Sequence, residues 1–251
     1  MEKLKLTLGV GEIYKNDQDS IQYKVQSIKE LGVIIDHFEK YPLISKKQAD
    51  YMLFKMAVEL ITRKEHLTIE GLKKIIAIKA SMNKGLSDEL KAVFSPDLKP
   101  VERPHNLDCK IIDPNWLAGF STGEGCFSVG LKKAPTHLSG FQVILIFQLT
   151  QHNRDEQLMT SFIDYLGCGN VYKVYKDNED SSCVRFTVTK FNDLTDKVIP
   201  FFNKYPIFGV KYLDYLDFVQ IVELMKVKAH LTSKGLDQIR KIKAGMNTGR
   251  K

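Results

Sequence analysis

The run Leu117-Ala118-Gly119-Phe120-Ser121-Thr122-Gly123-Glu124-Gly125 holds one carboxylate, Glu124, behind several small residues. A carboxylate is a hard oxygen donor of the kind that binds Mg²⁺. Small residues such as Ala118 and Gly119 let two helices approach backbone to backbone, which would bring an acid at the helix end to the seam between them. A divalent ion held there can activate a water and neutralise charge on a pentacoordinate phosphate.

A second set of residues has the pattern of a recognition face. Alternate side chains of a strand share one face. Cys126, Ser128, Gly130 and Lys132 therefore stand together, with Phe127, Val129 and Leu131 behind them. In the next strand Gln142 and Gln148 oppose Val143, Leu145, Phe147 and Leu149, and in the last Arg185, Thr187 and Thr189 oppose Val184, Phe186 and Val188. Earlier in the chain Gln22, Lys24 and Gln26 occupy the matching face. Arginine, glutamine and lysine can read base edges in the DNA major groove. The same alternation fits the solvated face of a half-buried antiparallel sheet, so pattern alone leaves both readings open. The net charge of +7, from 37 Lys and Arg against 30 Asp and Glu, would attract a polyanion.

The elements that must position these residues occur twice. Lys40-Tyr41-Pro42-Leu43-Ile44 recurs as Lys204-Tyr205-Pro206-Ile207-Phe208, His66-Leu67-Thr68 as His230-Leu231-Thr232, and Met82-Asn83-Lys84-Gly85 as Met246-Asn247-Thr248-Gly249, all offset by 164. Upstream of a length change, Gly9 to Lys15 matches Gly167 to Lys173 at an offset of 158. In each copy two strand-like runs flank a turn: Glu12 to Asn16 and Ile21 to Ser27 around Asn16-Asp17-Gln18-Asp19-Ser20, then Asn170 to Lys176 and Cys183 to Lys190. Ala49, Met52, Leu53, Met56, Ala57, Leu60 and Ile61 form the apolar stripe of a helix. Thr68 and Thr232 are expected to cap a final helix, closed by Asn-Lys-Gly and Asn-Thr-Gly with the glycine left-handed.

Residues 86–114, with four prolines and little periodicity, read as a linker between a first repeat at 1–85 and a second at 115–251. The second repeat opens with the glycine-rich run and two strands, Cys126 to Lys133 and Phe141 to Thr150, that the first lacks. At the 158 offset Met1 corresponds to Met159, so the expected counterparts of these elements would precede the first residue.

The nonapeptide at 117–125 resembles the LAGLIDADG signature, and the flanking ββ-helix-ββ-helix order extends the resemblance over the chain, most closely to the single-chain, two-repeat homing endonucleases of organellar introns. The resemblance implies an α+β fold of two pseudo-symmetric LAGLIDADG-type repeats, each an antiparallel saddle sheet backed by helices, the first incomplete at its N-terminus. It implies Mg²⁺-dependent cleavage of a long double-stranded DNA target, with Glu124 as metal ligand and its partner carboxylate in the absent segment. By the family's pattern Gln151 orders water near the cleavage site, Lys47 and Lys211 stabilise the phosphate, and Tyr172 joins the DNA-facing residues. A mitochondrial location is implied, with a monomer if the chain is complete and association if it is truncated. The alternative within the same family is an intron RNA maturase or a DNA binder without cleavage.

Other classes fit less well. No apolar run approaches the ~20 residues of a membrane span, and the N-terminus has the pattern of neither a secretory nor a transit peptide. Cys109, Cys126, Cys168 and Cys183 lack CxxC spacing and read as reduced thiols.

Overall fold

In the computed structural model the chain divides into two units, Met1–Asp108 and Cys109–Lys251. The residues described are 1–18, 20–94, 98–105, 110–111, 113–136, 139–175 and 182–250. Asp19 of the expected turn, Pro96, Cys109 and the expected strand end at Lys176 lie outside them.

The second unit starts with helix α6 (Pro114–Glu124). Asp113 caps it by accepting a hydrogen bond from Asn115 N at 2.8 Å, and Pro114 takes the first turn, where its missing N–H costs nothing. Strand β3 (Gly125–Lys133) follows with no intervening loop. Only glycine fits this junction, because a Cβ at Gly125 would lie 2.6 Å from the Ser121 carbonyl. Strands β4 (Phe141–His152), β5 (Asn170–Val174) and β6 (Cys183–Val188) complete an antiparallel sheet of order β3-β4-β6-β5. Its back carries Phe127, Val129, Val143, Leu145, Phe147, Leu149, Val184, Phe186 and Val188, all buried. Against it lie α7 (Glu156–Leu166), α9 (Ile199–Lys204) and α10 (Val210–Lys226), through Phe162, Phe202, Tyr215 and Phe218 among others. Helix α11 (Ser233–Ala244) packs on α10.

The first unit contains α1 (Glu2–Leu8), the hairpin β1 (Glu12–Lys15) and β2 (Ile21–Lys24), α2 (Ile28–Lys40), α3 (Lys47–Thr62), α4 (Ile69–Ala80) and α5 (Asp88–Phe94). The internal repeat persists at the level of single bonds. Tyr51 Oη donates toward Ile35 O and Glu39 Oε1, at 3.1 and 2.6 Å, as Tyr215 Oη does toward Ile199 O and Asn203 Oδ1, at 3.1 and 2.7 Å. Gly9 and Gly11 have φ of 69° and 77°, and their counterparts Gly167 and Gly169 have 64° and 89°.

The length differences between the copies can be located. Register pairs Glu12 with Lys24 and Asn170 with Thr187, so the offset rises from 158 (170 − 12) to 163 (187 − 24) across the hairpin. Helix α2 begins at Ile28 and α8 (Phe191–Asp193) at Phe191, again 163 apart (191 − 28), whereas Ile35 and Ile199 are 164 apart. The extra residue falls in the π-helical turn Leu194–Val198, the local form that one inserted residue gives a helix.

Several expectations are corrected. The strands end at Lys24 and Val188, so Gln26 and Thr189 lie beyond their ladders, both exposed. Met52 and Met56 are each 41% exposed, and the buried residues of α3 are Ala49, Leu53 and Val58, the last outside the expected stripe. The linker contains α5, and Arg103 binds Asp50 at 2.8 Å, which ties residues beyond α5 to the first unit. Thr68 and Thr232 do cap α4 and α11, accepting from Gly71 N and Gly235 N at 3.0 and 3.1 Å. At the other end the left-handed residues are Asn83, Gly85 and Asn247, and Gly249 is not among them. Gly249 is required for space instead, since a Cβ there would lie 2.2 Å from Ala244 O.

Two stability outcomes follow. Thr232→Ala should cost about 1 kcal/mol in urea unfolding. Gly235→Ala should cost more, because its Cβ would lie 2.0 Å from the Ala229 carbonyl and backbone cannot swing aside; equal stability of Gly235→Ala and the parent would refute the assigned contact. The second concerns acid. Arg103 holds the Asp50 carboxyl below its ordinary 3.8, with the Asn83 amide assisting. A depressed carboxyl stabilises the fold above its unfolded pKa, and that contribution disappears as pH falls through the folded value. Asp50→Asn should therefore be less stable than the parent at neutral pH, with the gap closing below about pH 4; a gap independent of pH would show that the ion pair contributes nothing.

Candidate functional site

Glu124 ends α6 and is exposed, held at the junction where helix passes directly into strand. The start of α10 closes on the same point. Lys211 Nζ donates to the Gly123 carbonyl at 2.7 Å, and Phe208 N donates to Thr122 Oγ1 at 3.2 Å. A cation at a helix C-terminus interacts favourably with the carbonyls exposed there. Burial lowers the Lys211 pKa, and the charges of Glu124, Cys126 and Asp214 work in the opposite direction. The structure thus brings Glu124 and Lys211 to the same junction.

Behind this pair lies a polar anchor. Asp214, one turn after Lys211 on α10, is 6% exposed and is paired with Arg250 at 3.0 Å. It also accepts from Asn247 N at 2.9 Å, and Asn247 Nδ2 donates to the Phe127 carbonyl at 3.0 Å. Cys126 Sγ contacts Asn247 Oδ1 at 3.6 Å, and burial pushes its thiol pKa up. Sequence reasoning missed Asp214, Asn247, Arg250 and Thr122. The signal for two of them was present, since Asp50 and Asp214, like Asn83 and Asn247, are 164 apart (214 − 50, 247 − 83).

The front of the sheet forms rows across the strands. Cys126 pairs with Gln148, Gln148 with Thr187 and Thr187 with Asn170; Thr150 pairs with Arg185 and Arg185 with Tyr172. Ser128 and Gly130 face Ile146 and Ile144, and Lys132 faces Gln142. Residues directly opposite in an antiparallel pair project to the same side, so the expected set Cys126, Ser128, Gly130, Lys132, Gln142, Gln148, Tyr172, Arg185 and Thr187 shares one face. Arg185 Nε is buried there and has no hydrogen-bond partner.

Other expectations fare differently. Gln151 pairs with Val184, whose side chain is buried on the back of the sheet, and its Oε1 accepts from His152 N at 3.3 Å. It therefore alternates with the front residues instead of joining them. Ala118 is buried, whereas Gly119 and Gly123 are exposed with nothing within 4 Å of an added Cβ. In the first unit Gln22 pairs with Tyr14 and Lys24 with Glu12, all four exposed or half-exposed. Glu12 is bound to Lys5 at 2.6 Å. Lys47, at the start of α3, is exposed, and its backbone N donates to Ser45 Oγ at 3.3 Å.

As a metal site, the junction of α6 and β3 offers one exposed carboxylate, Glu124. Among the described residues no group of three His, Cys, Asp or Glu side chains could enclose an ion. That donor set does not suit zinc, which takes three or four protein ligands. It does suit Mg²⁺, which keeps several waters and is commonly held by one or two carboxylates together with substrate phosphates.

A profile of the LAGLIDADG endonuclease family matches residues 1–58 and 117–222. The chain is similar to probable intron-encoded endonuclease 3 of Neurospora crassa, 43% identical over 233 residues that cover 92% of this chain and 43% of the relative. It spans about half the length of the curated relatives it matches. Among solved structures it resembles the LAGLIDADG homing endonuclease I-SmaMI bound to cleaved DNA, with a TM-score of 0.94 and 47% identity over 100% of this chain and 82% of the other. The same enzyme bound to an uncleaved DNA target in the presence of calcium ions matches with a TM-score of 0.92 and 47% identity over 98% of this chain and 83% of the other. With the profile matching more than half of its residues and the fold matched throughout, the chain belongs to the LAGLIDADG endonuclease family.

Proposed function

We propose that this chain is the DNA-recognition and cleavage part of a site-specific endonuclease that cuts double-stranded DNA with a divalent cation, Mg²⁺ by the donor argument above. The observation that carries the reading is the placement of Glu124 and Lys211 together at the junction of α6 and β3, beside a sheet face of polar and basic side chains. I-SmaMI, which the chain matches at 47% identity, is a homing endonuclease solved on cleaved DNA.

Glu124 would hold the ion, and the ion when bound would supply an activated water and charge neutralisation at the scissile phosphate. Lys211 sets a positive charge against the end of α6, where a phosphate approaching Glu124 would meet it. Lys47, related to Lys211 by the 164 offset, would serve the first unit in the same way. Arg185, Gln148 and Thr187 would read base edges, and Lys132 and Tyr172 would extend the contact along the groove. The relatives are named as intron-encoded, which supports an intron-encoded origin for this chain too, in mitochondria.

Glu124→Gln should lower cleavage of the uninterrupted host-gene sequence by about a hundredfold or more, since a neutral amide of the same shape loses the ion. Affinity for that DNA should change little, because the role assigned to Glu124 is to hold the ion and not to read bases. Normal cleavage by the variant would remove Glu124 from the mechanism. Binding should also weaken steeply with salt, with a log–log slope of about −0.9 per phosphate neutralised, or about −5 for six contacts. A response near zero between low and moderate salt would rule out an extended contact with the DNA backbone.

A further inference from the structure

Asn247 links the strand that follows Glu124 to the helix that carries Lys211. It lies in the left-handed region, with φ of 53°. From there its backbone N–H reaches Asp214 Oδ1 at 2.9 Å, and its side chain reaches the Phe127 carbonyl at 3.0 Å and Cys126 Sγ at 3.6 Å. Asp214 follows Lys211 by three residues and so faces the same side of α10. Cys126 and Phe127 follow Glu124 by two and three residues on the edge strand of the sheet.

A simple helix stop would need only the left-handed conformation, which glycine supplies at no cost. The side-chain bonds to β3 do something further. The first unit repeats the device behind Lys47: Asn83, with φ of 47°, donates its backbone N–H to Asp50 Oδ1 at 3.1 Å, and Asp50 follows Lys47 by three residues. The neutralising arginine, however, comes from a different place in each copy. Arg103 lies 20 residues after Asn83 (103 − 83), and Arg250 lies three after Asn247 (250 − 247). The two copies share the lysine, aspartate and asparagine at the same spacing, while the arginine comes from a different place in each.

We propose that Asn247, acting with Asp214, is a positioning residue that fixes the distance and direction of Lys211 relative to Glu124, an inference that rests on the endonuclease reading above. Its role is to act through Lys211 and not on the DNA or the ion itself. It sets the geometry by cross-linking the base of β3 to the base of α10.

The test uses the whole chain and Asn247→Gly, which keeps the positive φ and the backbone bond to Asp214 but loses the side-chain bonds. Thermal stability and affinity for target DNA should stay close to the parent's. Single-turnover cleavage at saturating DNA with Mg²⁺ should slow by about tenfold or more, as expected when a charged group moves by a fraction of an ångström. Without DNA or metal, iodoacetamide should modify Cys126, followed by peptide mass spectrometry, about fivefold faster once its partner is gone. Asn247→Asp, which cannot donate to the Phe127 carbonyl, should also cut slowly, and it serves if the glycine variant fails to fold. A cleavage rate or a Cys126 reactivity unchanged from the parent overturns the proposal. Should the parent itself leave its target uncut with Mg²⁺, the endonuclease reading fails, and Cys126 reactivity alone then decides whether the cross-link exists.

Discussion

The burial of Phe127 is the interaction on which the second unit depends. Its ring is fully enclosed, with centroids 4.9 Å from Phe147, 5.5 Å from Phe202, 5.2 Å from Tyr215 and 5.4 Å from Phe218. One side chain thus ties the sheet to α9 and α10. Edge-to-face aromatic contacts of this kind add to the transfer of apolar area from water, each by about 0.5 to 1.5 kcal/mol. Because Phe127 is only three residues beyond Glu124, and its carbonyl also receives Asn247, the packing that stabilises the unit also places the carboxylate. Stability and site geometry therefore share one strand.

The direct passage from α6 into β3 has a related effect. A loop would let Glu124 explore many positions, whereas the contact of Gly125 with the Ser121 backbone leaves it almost none. Lys211 reaches back to the Gly123 carbonyl across the same junction. A carboxylate and an ammonium group are in this way presented to solvent by two rigid elements, with little ordering left to complete when a charged ligand arrives.

Much of this was legible in the sequence because it depends on period and offset. Alternation along β3, β4 and β6 assigned the faces that the observed register confirms for Gln148, Thr187 and Arg185. The threonine caps followed from residue type at a repeated position. The rest depends on partners that spacing does not encode. Arg103 and Arg250 neutralise equivalent aspartates from unrelated places, so the 164 offset that relates Asp50 to Asp214 does not relate the two arginines. The stripe on α3 was misjudged at Met52 and Met56, which are exposed, while Val58 outside it is buried, because spacing along a helix does not say where its neighbours lie. Gln151 was placed by family resemblance, while strand parity, counted from Leu149, sets it behind the sheet.

The π-helical turn at Leu194–Val198 bears on how the two copies drifted apart after duplication. A residue inserted into a strand would invert every later side chain, turning a solvated face inward. Inserted into a helix, it forces a single widened turn, after which the lattice resumes and all downstream neighbours meet as before. The copies differ in length in the hairpin loop and in this turn, the two places where no alternation has to be counted, while the strands and the tyrosine bonds beyond them stay in phase. Tolerance to insertion in this chain is thus a property of secondary-structure type, and a lineage can lengthen one copy without rewriting the side of the sheet it presents.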